Sequence, residues 1–109
     1  MAYDEGLAEL LRTDLAEFDG IEEKRMFGGL CFLIGGNMSC GVVGEDLMLR
    51  VGKDAYAELL ALPHAREMDF TGKPMRGMLY VGAGGIEDDT DLSEWVGRGV
   101  AFAASLPPK

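Results

Sequence analysis

The sequence predicts an α+β domain with two layers, a mostly antiparallel sheet and helices packed on one of its faces. The expected order is a helix, three or four strands, a helix, two strands and a final helix. Two observations carry this prediction. Between residues 24 and 51, short apolar runs alternate with glycine-bearing turns, which is typical of an antiparallel meander. Before residue 24, after residue 51 and again near the end of the chain, apolar residues recur at spacings of three and four, which indicates amphipathic helices.

The first helix is predicted over residues 3–18. Acidic residues near its start suit the positive end of the helix dipole, and Gly20 is placed to end it. One apolar stripe is expected to face the sheet, formed by Leu7, Leu10, Leu11, Leu15 and Phe18.

Four strands are expected between Glu22 and Val51. Gly28-Gly29 separates the first two as a tight turn or a bulge, and residues 35–37 and 44–46 form the later hairpin loops. In the fourth strand the odd-numbered residues are apolar, and the even-numbered side includes Arg50. This alternation predicts one buried sheet face and one wet face.

The second half is predicted to contain a helix over residues 53–62, ended by Pro63, and then two strands. A short strand is expected at residues 68–70, a turn at 71–74 and a longer strand at 75–81. After a loop over 82–90, Asp91 is expected to cap the last helix, with Glu94 completing a capping box. The buried stripe of that helix would be Leu92, Trp95, Val96, Val100 and Ala103.

Length and composition fit a single domain over residues 1–109. The apolar fraction is 48% and the charged fraction is 27%, both in the ordinary globular range. The sequence shows no apolar run near the roughly 20 residues that a membrane helix needs, and its start is acidic. We therefore expect a cytoplasmic protein without a membrane contact.

The net charge of −9 is unevenly distributed. Residues 1–23 carry eight acidic side chains against Arg12 alone, whereas residues 24–76 carry seven bases against six acids. Because an acidic protein repels phosphate backbones, direct nucleic-acid binding is disfavoured. A local basic patch is still expected, formed by Lys24, Arg25, Lys73 and Arg76. It is either a contact surface or an ordinary solvated sheet edge.

Candidate catalytic groups do not combine into a recognisable centre. His64 is the only histidine and has no metal-ligand spacing to a cysteine. Cys31 and Cys40 are expected to be buried free thiols, although their spacing alone leaves a disulfide across a hairpin open. An enzyme that uses His64, Asp69 or a thiol is a minor alternative. We expect no enzyme, no cofactor and no metal; a weak surface cation site would involve Glu87, Asp88, Asp89 and Asp91.

Seven methionines raise the question of whether some of them contact a partner. Met38 and Met26 are expected in the core. Met48 shares a face with Arg50 and is therefore expected to be exposed.

Several segments resemble the N-terminal domain of the TfoX/Sxy family, bacterial proteins associated with regulation of natural competence. The resemblance covers about residues 5–105, and its most specific segments are Lys-Arg-Met-Phe-Gly-Gly at 24–29, Gly-Asn-Met-Ser-Cys-Gly at 36–41, Met-Asp-Phe-Thr-Gly-Lys-Pro-Met at 68–75 and Tyr80-Val81. It implies a secretion-chaperone-like α+β fold and a regulatory domain that interacts with proteins of the transcription machinery, with no catalytic centre. The family's competence regulators carry a second, C-terminal domain, so we expect a stand-alone form here.

Two functional hypotheses follow. In the first, the chain is a non-catalytic regulatory or adaptor domain that binds a protein partner, with homodimerisation through an unpaired strand edge as a variant. Its expected interaction surface comprises Lys24, Arg25, Met48, Arg50, Lys73 and Arg76. In the second, it binds a small molecule in a pocket between sheet and helices, lined by Phe32, Tyr80 and Trp95, although the sequence favours a plain core position for all three.

Overall fold

The computed structural model describes residues 3–26, 28–68 and 76–108. This part of the chain contains three α-helices, six strands and one short 3-10 helix, in the predicted order. They are α1 (Glu5–Leu15), β1 (Ile21–Met26), β2 (Gly29–Ile34), β3 (Asn37–Val43), β4 (Asp46–Arg50), α2 (Lys53–Leu60), β5 (Ala65–Glu67), β6 (Met78–Val81), the 3-10 helix Ala83–Gly85 and α3 (Asp89–Ser105).

The six strands form one open antiparallel sheet in the order β1-β2-β3-β4-β6-β5. The first four strands are a meander, as glycine-bearing turns between apolar runs predict. The last strand along the chain, β6, then pairs with β4, and β5 lies outside it. The α+β prediction is confirmed, and β1 and β5 are the edge strands.

Helices α1 and α3 pack on the same sheet face and cover the main core. This core includes Phe32 of β2, Leu47 and Leu49 of β4, Leu11 of α1 and Trp95 of α3. Helix α2 packs beside it through partly buried side chains. The prediction of helices on one face is therefore confirmed.

The apolar stripe of α1 differs from the predicted one. The buried residues are Leu7, Ala8, Leu11 and Leu15, whereas Leu10 is 44% exposed. At about 100° per residue, the buried four share a sector of about 100°, and Leu10 lies about 110° from the centre of that sector. Because the helix ends at Leu15, Phe18 falls in the turn beyond it and is 38% exposed.

The centre of the second sheet face is buried too, so the predicted wet face is wrong for the central strands. A second cluster lies there, formed by Cys31, Leu33, Met38, Met48, Met68, Met78 and Tyr80. Met48, predicted to be exposed, has no exposed surface at all. It lies opposite Gly41 of β3, where an added Cβ would come within 2.7 Å of the Met48 Cε. The missing side chain of Gly41 leaves the space that the methionine fills.

Two of the methionine expectations have opposite outcomes. Met38 is buried as predicted, with 8% of its surface exposed. Met26, also expected in the core, is 36% exposed because it ends the edge strand β1. Its neighbour Phe27 lies outside the described residues.

In the second half of the chain, the structure differs from the prediction mainly at the short elements. The outer strand is β5, at Ala65–Glu67, and of the strand predicted at 68–70 only Met68 lies among the described residues. Met68 follows it as a buried residue, and the predicted turn at 71–74 lies outside the described part. Helix α3 begins at Asp89 because the Asp88 carboxylate accepts the N–H of Thr90 at 2.7 Å. The predicted cap at Asp91 is wrong.

Replacing Met48 with alanine should lower the free energy of unfolding by about 2–5 kcal/mol, since it leaves a cavity between β3 and β6. The matched control is Met26→Ala at the exposed edge, which should change that free energy by about 0.5 kcal/mol or less. Urea titration followed by circular dichroism measures both. Equal effects of the two substitutions would contradict the burial of Met48.

Candidate binding groove

A groove of about 770 Å³ lies on the second sheet face, where the strands meet the start of α2 and the end of α3. Four of the apolar side chains that line it belong to strands: Met26 of β1, Leu33 of β2, Met38 of β3 and Met78 of β6. We call these four residues the floor. Its charged lining residues, which we call the rim, are Arg50, Lys53, Asp54 and Arg76.

The carbonyl of Gly77 holds the rim together. It accepts the N–H of Val51 at 2.8 Å and that of Gly52 at 3.2 Å, which ties the segment before β6 to the end of β4. Gly77 has a φ of +90°, a conformation that residues with a side chain rarely adopt. This junction places Arg76 at the same groove as the first residues of α2.

Arg50 is held in place by an aromatic ring. It ends β4 opposite Met78, and its guanidinium carbon lies 5.2 Å from the ring centroid of Phe102 in α3. At this separation the cation is attracted to the face of the ring. The side chain is half-buried and rests against this ring, so its positive charge has a fixed position at the groove.

The groove is locally positive in an acidic protein. Among the described residues, its rim carries Arg50, Lys53 and Arg76 against the single carboxylate of Asp54, while the whole chain has a net charge of −9. Like charges that share one concave site raise the local potential and attract an anion. The site is therefore suited to an occupant that combines apolar and anionic groups.

The structure brings only part of the expected interaction surface together. Arg50 and Arg76 both lie on the groove rim. On β1, Lys24 pairs with Cys31 and shares the second face, but Arg25 pairs with Leu30 and points to the opposite face. Met48 is buried, and Lys73 lies outside the described residues.

Sequence reasoning missed Lys53, Asp54, Phe102 and the floor of the groove. Lys53 follows Arg50 by three residues across the junction between β4 and α2, which is the only sequence signal for it. Phe102 is 52 residues beyond Arg50 along the chain, so its contact with Arg50 depends on how α3 lies on the sheet.

The predicted small-molecule pocket does not form from the three expected residues. Phe32 and Trp95 are packed in the main core, whereas Tyr80 belongs to the second cluster. The guanidinium carbon of Arg66 lies 5.0 Å from the ring centroid of Tyr80.

The two thiols lie on opposite faces of the sheet, so they do not form a disulfide. Cys31 belongs to the second cluster and Cys40 to the main core, and both are fully buried and free. Burial raises the pKa of Cys31 to about 11 and that of Cys40 to about 12. Because the thiolate is the reactive form, both cysteines are poor nucleophiles in the folded chain.

His64 is exposed and packs against a glycine turn. An added Cβ at Gly84 would come within 2.9 Å of its Cε1, and one at Gly85 within 2.8 Å of its Cβ. Among residues 3–26, 28–68 and 76–108, no group of three or more His, Cys, Asp and Glu side chains is placed to hold a metal ion. Asp69, the third candidate for catalysis, lies outside that part of the chain.

The fold and the groove define a class: a small α+β domain with an open antiparallel sheet and a groove where the second sheet face meets the start of α2 and the end of α3. Residues 13–103, most of the chain, match the family described as TfoX N-terminal domain. The protein belongs to this family, as its resemblance predicts. No significant match was found among curated proteins or solved structures. Across the described residues, no helix is both long and apolar enough to cross a membrane.

Both cysteines should react with a thiol reagent far more slowly in the native protein than in the unfolded chain. The free energy of unfolding should also fall as pH rises above the ordinary thiol pKa of about 8.5, because only the unfolded chain then releases these protons. The stabilisation that comes from the two buried, protonated thiols is fully present below that pH and is lost progressively towards pH 11–12. Urea titrations at pH 7 and 10 measure it, with Cys31→Ala as a control that should lose less. Fast labelling of the native protein would contradict the burial.

Proposed function

We propose that this protein is a non-catalytic cytoplasmic regulatory domain that acts by binding another protein in transcriptional or competence control. The observation that carries the proposal is the groove, whose apolar floor is next to a cationic rim. Family membership supports the regulatory part, since the family is that of the TfoX N-terminal domain.

The chemistry of the groove favours binding over catalysis. Its described lining contains no histidine or cysteine, and the Ser105 hydroxyl donates a hydrogen bond to the Phe102 carbonyl at 2.6 Å. The thiols elsewhere are buried with raised pKa values. Three of the four charged groups on the described rim are guanidinium or ammonium groups, which can orient an anionic ligand but cannot act as general bases at neutral pH.

A protein is a better occupant than a nucleic acid or the edge of a second sheet. A polyanion would meet the repulsion of a chain with a net charge of −9. The exposed edge strand β1 carries the charged run Glu22, Glu23, Lys24 and Arg25, and charges on an edge oppose strand-to-strand pairing. Homodimerisation by edge pairing is therefore the weaker variant.

Arg76→Glu should abolish most of the capture of a protein partner, because it reverses one of three positive charges on the groove rim. The measurement is affinity purification of the tagged full chain from its native cytoplasm after nuclease treatment, followed by quantitative mass spectrometry. Arg25→Glu is the matched control: it makes the same charge change at an exposed position on the other sheet face and should leave capture intact.

Equal loss of capture in both variants would contradict a role for the groove. Partners captured equally well by both variants would contradict it too. A preparation that contains this chain alone would overturn the adaptor proposal and favour the small-molecule alternative, which the groove volume of about 770 Å³ would suit.

A further inference from the structure

We infer that the occupant of the groove is an acidic amphipathic helix of the partner protein. Its apolar side chains lie on the methionine-rich floor, and its carboxylates pair with Arg50, Lys53 and Arg76. The inference rests on the proposed function, because it names the class of partner for the same site.

The exposure of the rim indicates an occupant that keeps one side in water. Lys53, Asp54 and Arg76 are exposed, so the groove is open along its charged side. A helix that lies in a groove buries its apolar stripe and leaves its polar face solvated. A small ligand, in contrast, is normally enclosed over most of its surface.

The floor has the chemistry of an adaptable apolar surface. Three of its four side chains are methionines, and each comes from a different strand. Methionine is unbranched and polarisable, so it can repack around leucine, phenylalanine or methionine anchors of a partner. Met26 is 36% exposed and is therefore directly available for contact, whereas Met38 and Met78 are 8% and 9% exposed and would have to repack to take up an anchor.

The charge of the rim selects an acidic partner. Three cations and one carboxylate surround the floor, whereas the chain as a whole is strongly acidic. A guanidinium can bind a carboxylate through two parallel hydrogen bonds, and Arg50 is already positioned by the Phe102 ring. A short helix presents only a few carboxylates, so it avoids most of the repulsion that excludes a nucleic acid.

A second copy of this chain is the main competing occupant. Helix α1 presents the exposed Leu10 beside Glu9, an arrangement similar to that expected of the partner. However, each copy brings a net charge of −9, so self-association works against the repulsion of the two whole molecules. A heterologous partner whose acidic segment is local does not meet this penalty.

The test is fluorescence anisotropy of the full chain with a panel of labelled amphipathic helical peptides. Each peptide carries leucine or phenylalanine at positions i, i+4 and i+7 and glutamate on the other positions. For every peptide, one control has the same composition in scrambled order and another has lysine in place of glutamate. At least one acidic peptide should bind better than both of its controls, and its affinity should fall with salt.

Arg50→Glu combined with Arg76→Glu should weaken that binding about tenfold or more, since both changes place like charges against the peptide carboxylates. Met26→Ala should weaken it less, and Arg25→Glu should leave it unchanged. Thermal unfolding of each variant checks that the fold is retained.

Four outcomes would overturn the inference. Two concern the peptides: scrambled peptides that bind as well as ordered ones, and binding that Arg50→Glu combined with Arg76→Glu leaves unaffected. The third is a rise in thermal stability with decanoate, a small apolar anion, in the absence of peptide binding. The fourth is a dimer mass in light scattering that the same double substitution removes. Capture of a partner that depends on Arg76, together with no binding of any acidic peptide, would leave the proposed function standing and refute this partner class. Peptide binding without any captured partner would contradict the proposed function alone.

Discussion

Burial of the central strands on both faces constrains the rest of this structure. Along β4, Leu47 and Leu49 point into the main core, while Met48 between them points into the second cluster. A strand buried on both sides needs a neighbour on each edge, and β3 and β6 supply them. Since β6 follows β4 along the chain only after α2 and β5, the sheet can be completed only by a connection that returns past these two elements. That return places Gly77 beside the end of β4 and so builds the groove.

The groove shows how a basic site can exist in an acidic protein. Its cations are separated in sequence, and each is positioned by a different device. Arg50 is positioned by the ring of Phe102, Arg76 by the hydrogen bonds of the Gly77 carbonyl, and Lys53 by the start of α2. The apolar floor lies beside them because the second face of the sheet is methionine-rich. Charge and apolar surface are therefore adjacent, which is the combination that an amphipathic occupant requires.

Much of the fold can be predicted from sequence, and the site can be predicted only in part. Periodicity and glycine turns indicate the order of helices and strands, and family resemblance agrees with it. The burial of Met48 is not visible in the pattern, because alternation with Arg50 suggests a wet face. It depends on the empty space over Gly41, a neighbour across the sheet rather than along the chain. Similarly, the start of α3 is set by a local hydrogen bond from Thr90 to Asp88. Arg50 and Arg76 can be nominated from their charge, but their meeting depends on the pairing of β4 with β6.

The strand order also dictates when the protein can finish folding as it is made. The four-stranded meander has local pairings and can form early, because little chain entropy is lost in closing each hairpin. Its main face can then be covered only in part, by α1, until the ribosome has produced α3, and β4 lacks one neighbour until residue 81 has emerged. During that interval the nascent chain exposes Leu47, Leu49 and Met48 together. Such a surface is prone to association, so prompt docking of β6 and α3 protects the newly made protein from aggregation.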